Sequence, residues 1–182
     1  MAAPIPVTVT AGAEGPWRIT ALSRCIGEGL PAAERLIVEE GAPTTRRLAW
    51  RLRGVTSNLR YTADVERKTL AGVQQGLGRP EATRAALIPI RKSEAWWDMA
   101  QDARRALLEE QSRHIAIGLE YLPAVARRLV HCRDLGEPFD FLTWFEFAPA
   151  HEASFDQLLA RLRATAEWRY VEREVEIRLS RD

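Results

Sequence analysis

Phe139-Asp140-Phe141-Leu142-Thr143-Trp144-Phe145-Glu146-Phe147 is the stretch whose reading decides the fold class. Successive side chains of a strand point to opposite faces. Phe139, Phe141, Thr143, Phe145 and Phe147 therefore share one face, and Asp140, Leu142, Trp144 and Glu146 share the other. An aromatic face of this kind ordinarily packs into a core. Thr143 stands out within it, because a buried hydroxyl needs a hydrogen-bond partner.

Downstream of this strand, Pro149 and Ala150 open a helix that carries Phe155, Leu158, Leu159 and Leu162. A closing strand is expected over Trp168–Leu179, with Val171, Val175, Ile177 and Leu179 on one face. Upstream, residues 5–10 are short and β-like, Trp17–Cys25 reads as a strand, and Ala32–Glu40 is ambiguous. Leu48–Thr56 alternates in part and is read as a strand, followed by a helix over Thr62–Gly72. Gly72, Gly76, Gly78 and Pro80 mark the loop after it. The longest helical stretch runs from Ser93 to about Leu122, with Trp96, Trp97, Ala100, Ala103, Leu107 and Leu108 at three-to-four spacing. Pro123 interrupts it, since proline lacks the donor and clashes with the preceding turn; helix is expected to resume over Ala124–Cys132.

A strand–helix–strand theme thus occurs twice, before Gly78 and after Leu135. It predicts one α+β domain of two ferredoxin-like halves, roughly residues 1–78 and 135–182, joined by a helical segment. The sheet approaches a barrel, with helices outside.

Composition narrows the functional classes. Of 182 residues, 46% are hydrophobic and 28% charged, the balance of a globular chain rather than a disordered one. The formal net charge of +1 argues against nucleic acid, which needs clustered excess cations. Nearly all cations are arginine; Lys68 and Lys92 are the only lysines. Cys25 and Cys132 form no CxxC pair and read as free thiols of a reducing compartment. No signal peptide is read at the N-terminus, and no apolar run nears the ~20 residues that span a bilayer. No membrane association and a cytoplasmic address are the expectations.

No phosphate-cradling loop is present: Gly76-Leu77-Gly78-Arg79-Pro80 lacks the spacing and a following lysine. The histidines are His114, His131 and His151, without metal-pair spacing. His114 precedes Ile115-Ala116-Ile117-Gly118-Leu119, an apolar setting that suits either a core histidine or a ligand. Arg127 and Arg128, beyond Pro123, read as helix-surface arginines unless something buries them.

The segments Leu52-Arg53-Gly54-Val55-Thr56-Ser57-Asn58-Leu59-Arg60-Tyr61, Gly76–Ala82, Ile88-Pro89-Ile90-Arg91-Lys92-Ser93 with Trp96-Trp97, Arg113-His114 through Pro123 to Arg127, and Phe139–Glu146 resemble the chlorite dismutase family, in its short form, over roughly residues 47–180. The motifs keep their order along the chain. The first 45 or so residues match weakly, and the extra N-terminal domain of the long form has no counterpart.

The resemblance implies a dimeric α+β barrel holding haem b, with His114 as the iron ligand. Glu167 would accept the proton of its other ring nitrogen, and Lys92 would complete that hydrogen-bonded group. Asn58, Tyr61, Trp96 and the backbone near Ile88 would contact the haem propionates. Thr143, Phe145, Leu122 and Trp97 would line the opposite pocket, with Arg127 as its catalytic cation and Gln74 as a hydrogen-bond partner of Arg127. The implied activity is conversion of chlorite, or another small anion, to chloride and dioxygen through a ferryl intermediate and retained hypochlorite, in a homodimer. Two other readings share the fold. One is a coproporphyrin decarboxylase of haem synthesis, a branch that typically carries glutamine where Arg127 stands. The other is a haem-binding or sensing protein without physiological chlorite turnover. A cofactor-free dimeric module is the plainest alternative.

Overall fold

The computed structural model describes residues 4–44, 47–56 and 76–181. The helix expected over 62–72, and with it Asn58, Tyr61 and Gln74, lies outside the described residues.

Eight strands are described: β1 Pro6–Gly12, β2 Trp17–Ile26, β3 Arg35–Glu40, β4 Trp50–Thr56, β5 Arg84–Lys92, β6 Val125–His131, β7 Phe141–Phe147 and β8 Val171–Ser180. They close into an antiparallel barrel in the order β1-β3-β2-β8-β5-β7-β6-β4, so the expected α+β class and barrel-like sheet are what the chain forms. Closure removes free sheet edges. Alternation then sorts the side chains. Val7, Val9, Trp17, Leu36, Leu52, Leu87, Leu142, Trp144, Val175, Ile177 and Leu179 fill the interior. The opposite faces of β5 and β7 give Ala86, Ile88, Phe145 and Phe147 to a second core outside the barrel.

That second core is covered by helix α4, Glu152–Arg163, whose buried stripe is Phe155, Leu158, Leu159 and Leu162, as the sequence predicts. Phe155 stacks on Phe147 with ring centroids 4.7 Å apart and tilts against Phe145 at 5.1 Å. Both faces of β7 are therefore buried, which explains why both carry large aromatic residues.

Three stretches differ from expectation. Residues 125–131 are strand, not helix. Val125, Arg127 and Leu129 point outward, Ala126 and Val130 inward, and all seven residues pair with β7. β7 is buried on both faces and must satisfy its backbone on both edges; that pairing overrides the local pattern. Its other edge is filled by β5, which the sequence reading left unassigned. The apolar run Ala85-Ala86-Leu87-Ile88-Pro89-Ile90 is a two-face-buried strand, and the β5–β8 ladder lapses at Ile88 and Pro89, where proline supplies no donor.

The long helix over 93–122 is four pieces: α1 Glu94–Asp98, α2 Gln101–Arg105, a π-helical turn Ala106–Gln111, and α3 His114–Glu120. Met99 and Ala100 are extended, and Arg113 is left-handed with φ 52°. The expected shared face of β8 also breaks. A bulge opposite Arg91/Lys92 inserts one residue and reverses the parity, sending Val171 outward into the second core while Val175, Ile177 and Leu179 stay inside.

Among the described residues the barrel closes between β4 and β6 through the pairs Val55↔His131 and Thr56↔Val130. The strands meet tightly there. A Cβ at Gly54 would lie 2.3 Å from Val130 Cγ1 and 2.7 Å from the His131 carbonyl oxygen, so only glycine fits.

Candidate active site

α3 starts abruptly, and that start places His114. The π-helical turn and the left-handed Arg113 re-aim the chain immediately before it. π-turns and left-handed non-glycine residues are costly and gather at functional sites. The exposed donors of the new helix are satisfied from a distance: the Ile115 and Ala116 N–H groups donate to the two Glu109 carboxylate oxygens at 2.8 and 3.3 Å.

His114 stands first in α3 and shares its Nδ1 proton with Glu167 Oε2 at 2.8 Å. Lys92 Nζ, at the end of β5, donates to Glu167 Oε1 at 2.7 Å. The Glu167 N–H donates in turn to Ser112 Oγ at 3.0 Å. Glu167 and Lys92 are each 3% exposed. Lys92 Nζ also lies 4.6 Å from the Trp96 ring centre and 5.5 Å from that of Trp168, so aromatic faces complete its surroundings. Burial pushes the Glu167 carboxyl up, but the charge and hydrogen bond of His114, then those of Lys92, outweigh it and hold the pKa at about 2. Burial pushes the Lys92 ammonium down, against the pull of Glu167. An ionised Glu167 only accepts, so Nδ1 carries a proton and Nε2 is the ring nitrogen left to face a ligand. Three sequence-predicted residues, 92, 114 and 167, are thus one bonded group.

The predicted cation stands on β6. Across the sheet, Arg127 pairs with Phe145, which pairs with Ala86; the next row is Leu129, Thr143 and Ile88. Thr143 is half-buried and Leu129 is 40% exposed, although both stand mid-strand on this outer face. The Arg127 guanidinium reaches across to α3. A Cβ at Gly118 would lie 2.6 Å from Nη1 and 3.0 Å from Cζ. Residues 114 and 118 share a helix face, so imidazole and guanidinium lie on the same side of α3. Burial pushes the Arg127 pKa down and the nearby Glu109 carboxylate pulls it up.

Trp97 donates from Nε1 to Asp140 Oδ2 at 3.1 Å and stacks on Phe141 at 5.9 Å, one outer-face position from Thr143. Asp140 also accepts from the Lys92 N–H at 2.7 Å and from Arg133 Nη1 at 3.3 Å, tying β5 and α1 to the start of β7. Leu122 is half-buried in the turn between α3 and β6. Ile88 is buried in the second core, and Trp96 Nε1 is a buried donor without an acceptor among the described residues. Sequence reasoning missed Glu109, Ser112, Asp140 and Gly118. Only Gly118 left a trace, as the one small flexible residue in an apolar helical run.

The fold and this group define an eight-stranded antiparallel α+β barrel in which one short outer helix carries an imidazole bonded to a buried carboxylate, with a guanidinium beside it. Comparison with known proteins makes this specific. The family model described as chlorite dismutase matches residues 43–182. The dimeric chlorite dismutase of Nitrobacter winogradskyi superimposes with a TM-score of 0.91 at 57% identity, over 97% of this chain and 99% of that one. A mutant chlorite dismutase from Candidatus Nitrospira defluvii, solved in complex with cyanide, gives a TM-score of 0.67 at 21% identity over 97% and 90% of the two chains, a likeness of fold. The chlorite dismutase of Ideonella dechloratans is 30% identical over 119 residues, 64% of this chain; the match spans 40% of that relative's length. The chain belongs to the chlorite dismutase family.

The residues present fit the haem that this family implies. His114 offers Nε2 as a ligand atom, backed by an ionised carboxylate. Trp96 offers a buried donor still lacking an acceptor, as a propionate would need.

Proposed function

We propose that the protein is a haem b enzyme that converts chlorite to chloride and dioxygen. The observation that carries this reading is the half-buried Arg127, its guanidinium on the same face of α3 as the Glu167-bonded His114. Haem b, held through His114 Nε2, would supply the redox chemistry that chlorite conversion requires.

The chain's own residues do the rest. Glu167 accepts the Nδ1 proton, fixes the ring and strengthens the imidazole as a donor. Lys92 and the Ser112 hydroxyl keep Glu167 in place. Trp96, with Asn58, Tyr61 and the Ile88 backbone, holds the propionates. Thr143, Phe145, Leu122 and Trp97 bound an apolar pocket that disfavours a bare anion unless a cation meets it. Arg127 is that cation, permanently charged and rich in donors. It draws chlorite in and retains the hypochlorite fragment until dioxygen forms. Gln74 steadies Arg127. The unit is a homodimer in the cytoplasm.

The test is direct. Purified protein supplied with haem is expected to show a Soret band and to release one dioxygen per chlorite at an oxygen electrode, and His114→Ala is expected to lose both. Loss of carboxylates from iron coproporphyrin, without oxygen release from chlorite, would replace this reading with the haem-synthesis branch. A Soret band without chlorite turnover would replace it with haem binding alone.

A further inference from the structure

We infer that the outer wall of the barrel carries a second anion site, made by Arg18, Ser180 and Arg84, that binds a small oxyanion of the phosphate type. It shares no residue with the site of His114 and Arg127.

The register builds it. Ser180 on β8 pairs with Arg18 of β2 on one side and Arg84 of β5 on the other. Directly paired residues point to the same face, and their inward neighbours Trp17, Leu179 and Ala85 fill the barrel. Three side chains thus stand in a row across adjacent strands, arginine, serine, arginine, with about 10 Å between the outer Cα atoms. They line a cavity of about 240 Å³ with Thr20, Phe147, Glu152 and Arg178. The row continues to β3, where Arg35 pairs with Arg18.

Several other arginines among the described residues are held by carboxylates. Arg163 is held by Glu174 and Glu176, Arg161 by Glu120, Arg53 by Glu137, and Arg178 by Asp156 and Glu176. Arg18 has only Ser180 Oγ, at 3.4 Å. Arg84 has only the carbonyl of its own neighbour Thr83, at 3.4 Å. Neither has a carboxylate partner among the described residues. Like charges so close across a sheet repel, and a multidentate anion between them turns that repulsion into two charge-assisted bonds. Ser180 is 6% exposed, and while it accepts from Arg18 its own hydroxyl proton is available to the same anion. Glu152, the one carboxylate at the cavity, is exposed at its rim and opposes binding.

The experiment uses haem-loaded protein titrated with inorganic phosphate at constant low ionic strength, read by calorimetry, with the Soret band followed in parallel. Saturable binding with an unchanged Soret band is expected. Arg84→Gln and Arg18→Gln should each weaken it about tenfold, with Arg84→Lys falling between. Glu152→Gln, at an exposed position, should tighten it. Absence of saturable binding by the parent would overturn the proposal, as would indifference to Arg84→Gln and Arg18→Gln or failure of Glu152→Gln to tighten. A change of oligomeric state in either arginine variant, without an effect on phosphate, would also overturn it and assign the row to a contact between copies.

Discussion

The guanidinium of Arg127 occupies the space that a side chain at position 118 would need. A Cβ on Gly118 would meet Arg127 Nη1 at 2.6 Å, Cζ at 3.0 Å and Nη2 at 3.3 Å. Alanine is favoured over glycine in a helix by about 1 kcal/mol, and the obstructed atoms are the end of a flexible side chain. Gly118→Ala is therefore expected to leave the melting temperature unchanged or slightly higher, while displacing Arg127. In haem-loaded protein this should lower fluoride affinity and chlorite turnover together. Unchanged fluoride binding would show that the contact has no bearing on the pocket.

Arg127→Ala removes the cation outright. Retention of hypochlorite should fail, so a chlorination trap is expected to capture more of it per turnover than with the parent, and the variant should inactivate sooner. Equal trapping in both proteins would contradict the role given to Arg127.

Glu167 and Lys92 are a buried ion pair at 2.7 Å, each with a 4% exposed side chain. Removing one partner of such a pair leaves an uncompensated charge and costs about 3–5 kcal/mol. Glu167→Ala should therefore be strongly destabilising in urea unfolding. Lys92→Met combined with Glu167→Gln should recover a substantial part of that loss, because neither charge then remains buried. A double variant no more stable than Glu167→Ala would mean that the pair's packing, not its charge, dominates.

Burial pushes the Cys132 thiol up from its ordinary value of 9.0 to about 12, with Glu137 and Asp140 adding to the shift. A thiol with a raised folded-state pKa contributes nothing below its unfolded value, and stability falls as pH rises from about 9 towards 12, by roughly 4 kcal/mol across the window. Cys132→Ala should flatten this part of the stability profile measured by urea unfolding. In the native state a thiol reagent is expected to label the exposed Cys25 and spare Cys132; rapid labelling of both would contradict the burial.

The fold class was legible because β7 states it. Alternation of aromatic residues on both faces requires a strand with neighbours above and below, and Phe155 to Leu162 supplies one of them in helical spacing. β6 was illegible for the converse reason. Arg127-Arg128 between Val125 and Val130 fits either period, and the pairing that decides it lies with residues 141–147. The break-up of the 93–122 helix has no strong sequence mark either, since a π-turn and a left-handed Arg113 are set by where α3 must point. In the site, His114, Glu167 and Lys92 were found through family resemblance. Residues 92 and 167 lie 75 positions apart, and no local pattern links them. Glu109, which caps α3 and faces Arg127, was missed because one of two adjacent glutamates at a helical turn carries no signal of a backbone partner six residues on.

The narrow closure between β4 and β6 has a bearing on how motion is distributed. Among the described residues two pairs fasten the ring there, while β6 is zipped to β7 along its full length. Breathing of the wall should concentrate at this clasp and at the equally short β2–β3 seam, and the amides of Val55, Thr56 and Val130 should trade protons with solvent sooner than those of β7. Arg127 sits three residues up the same strand from the clasp, with its backbone anchored to β7 on the side where every rung of the ladder is made.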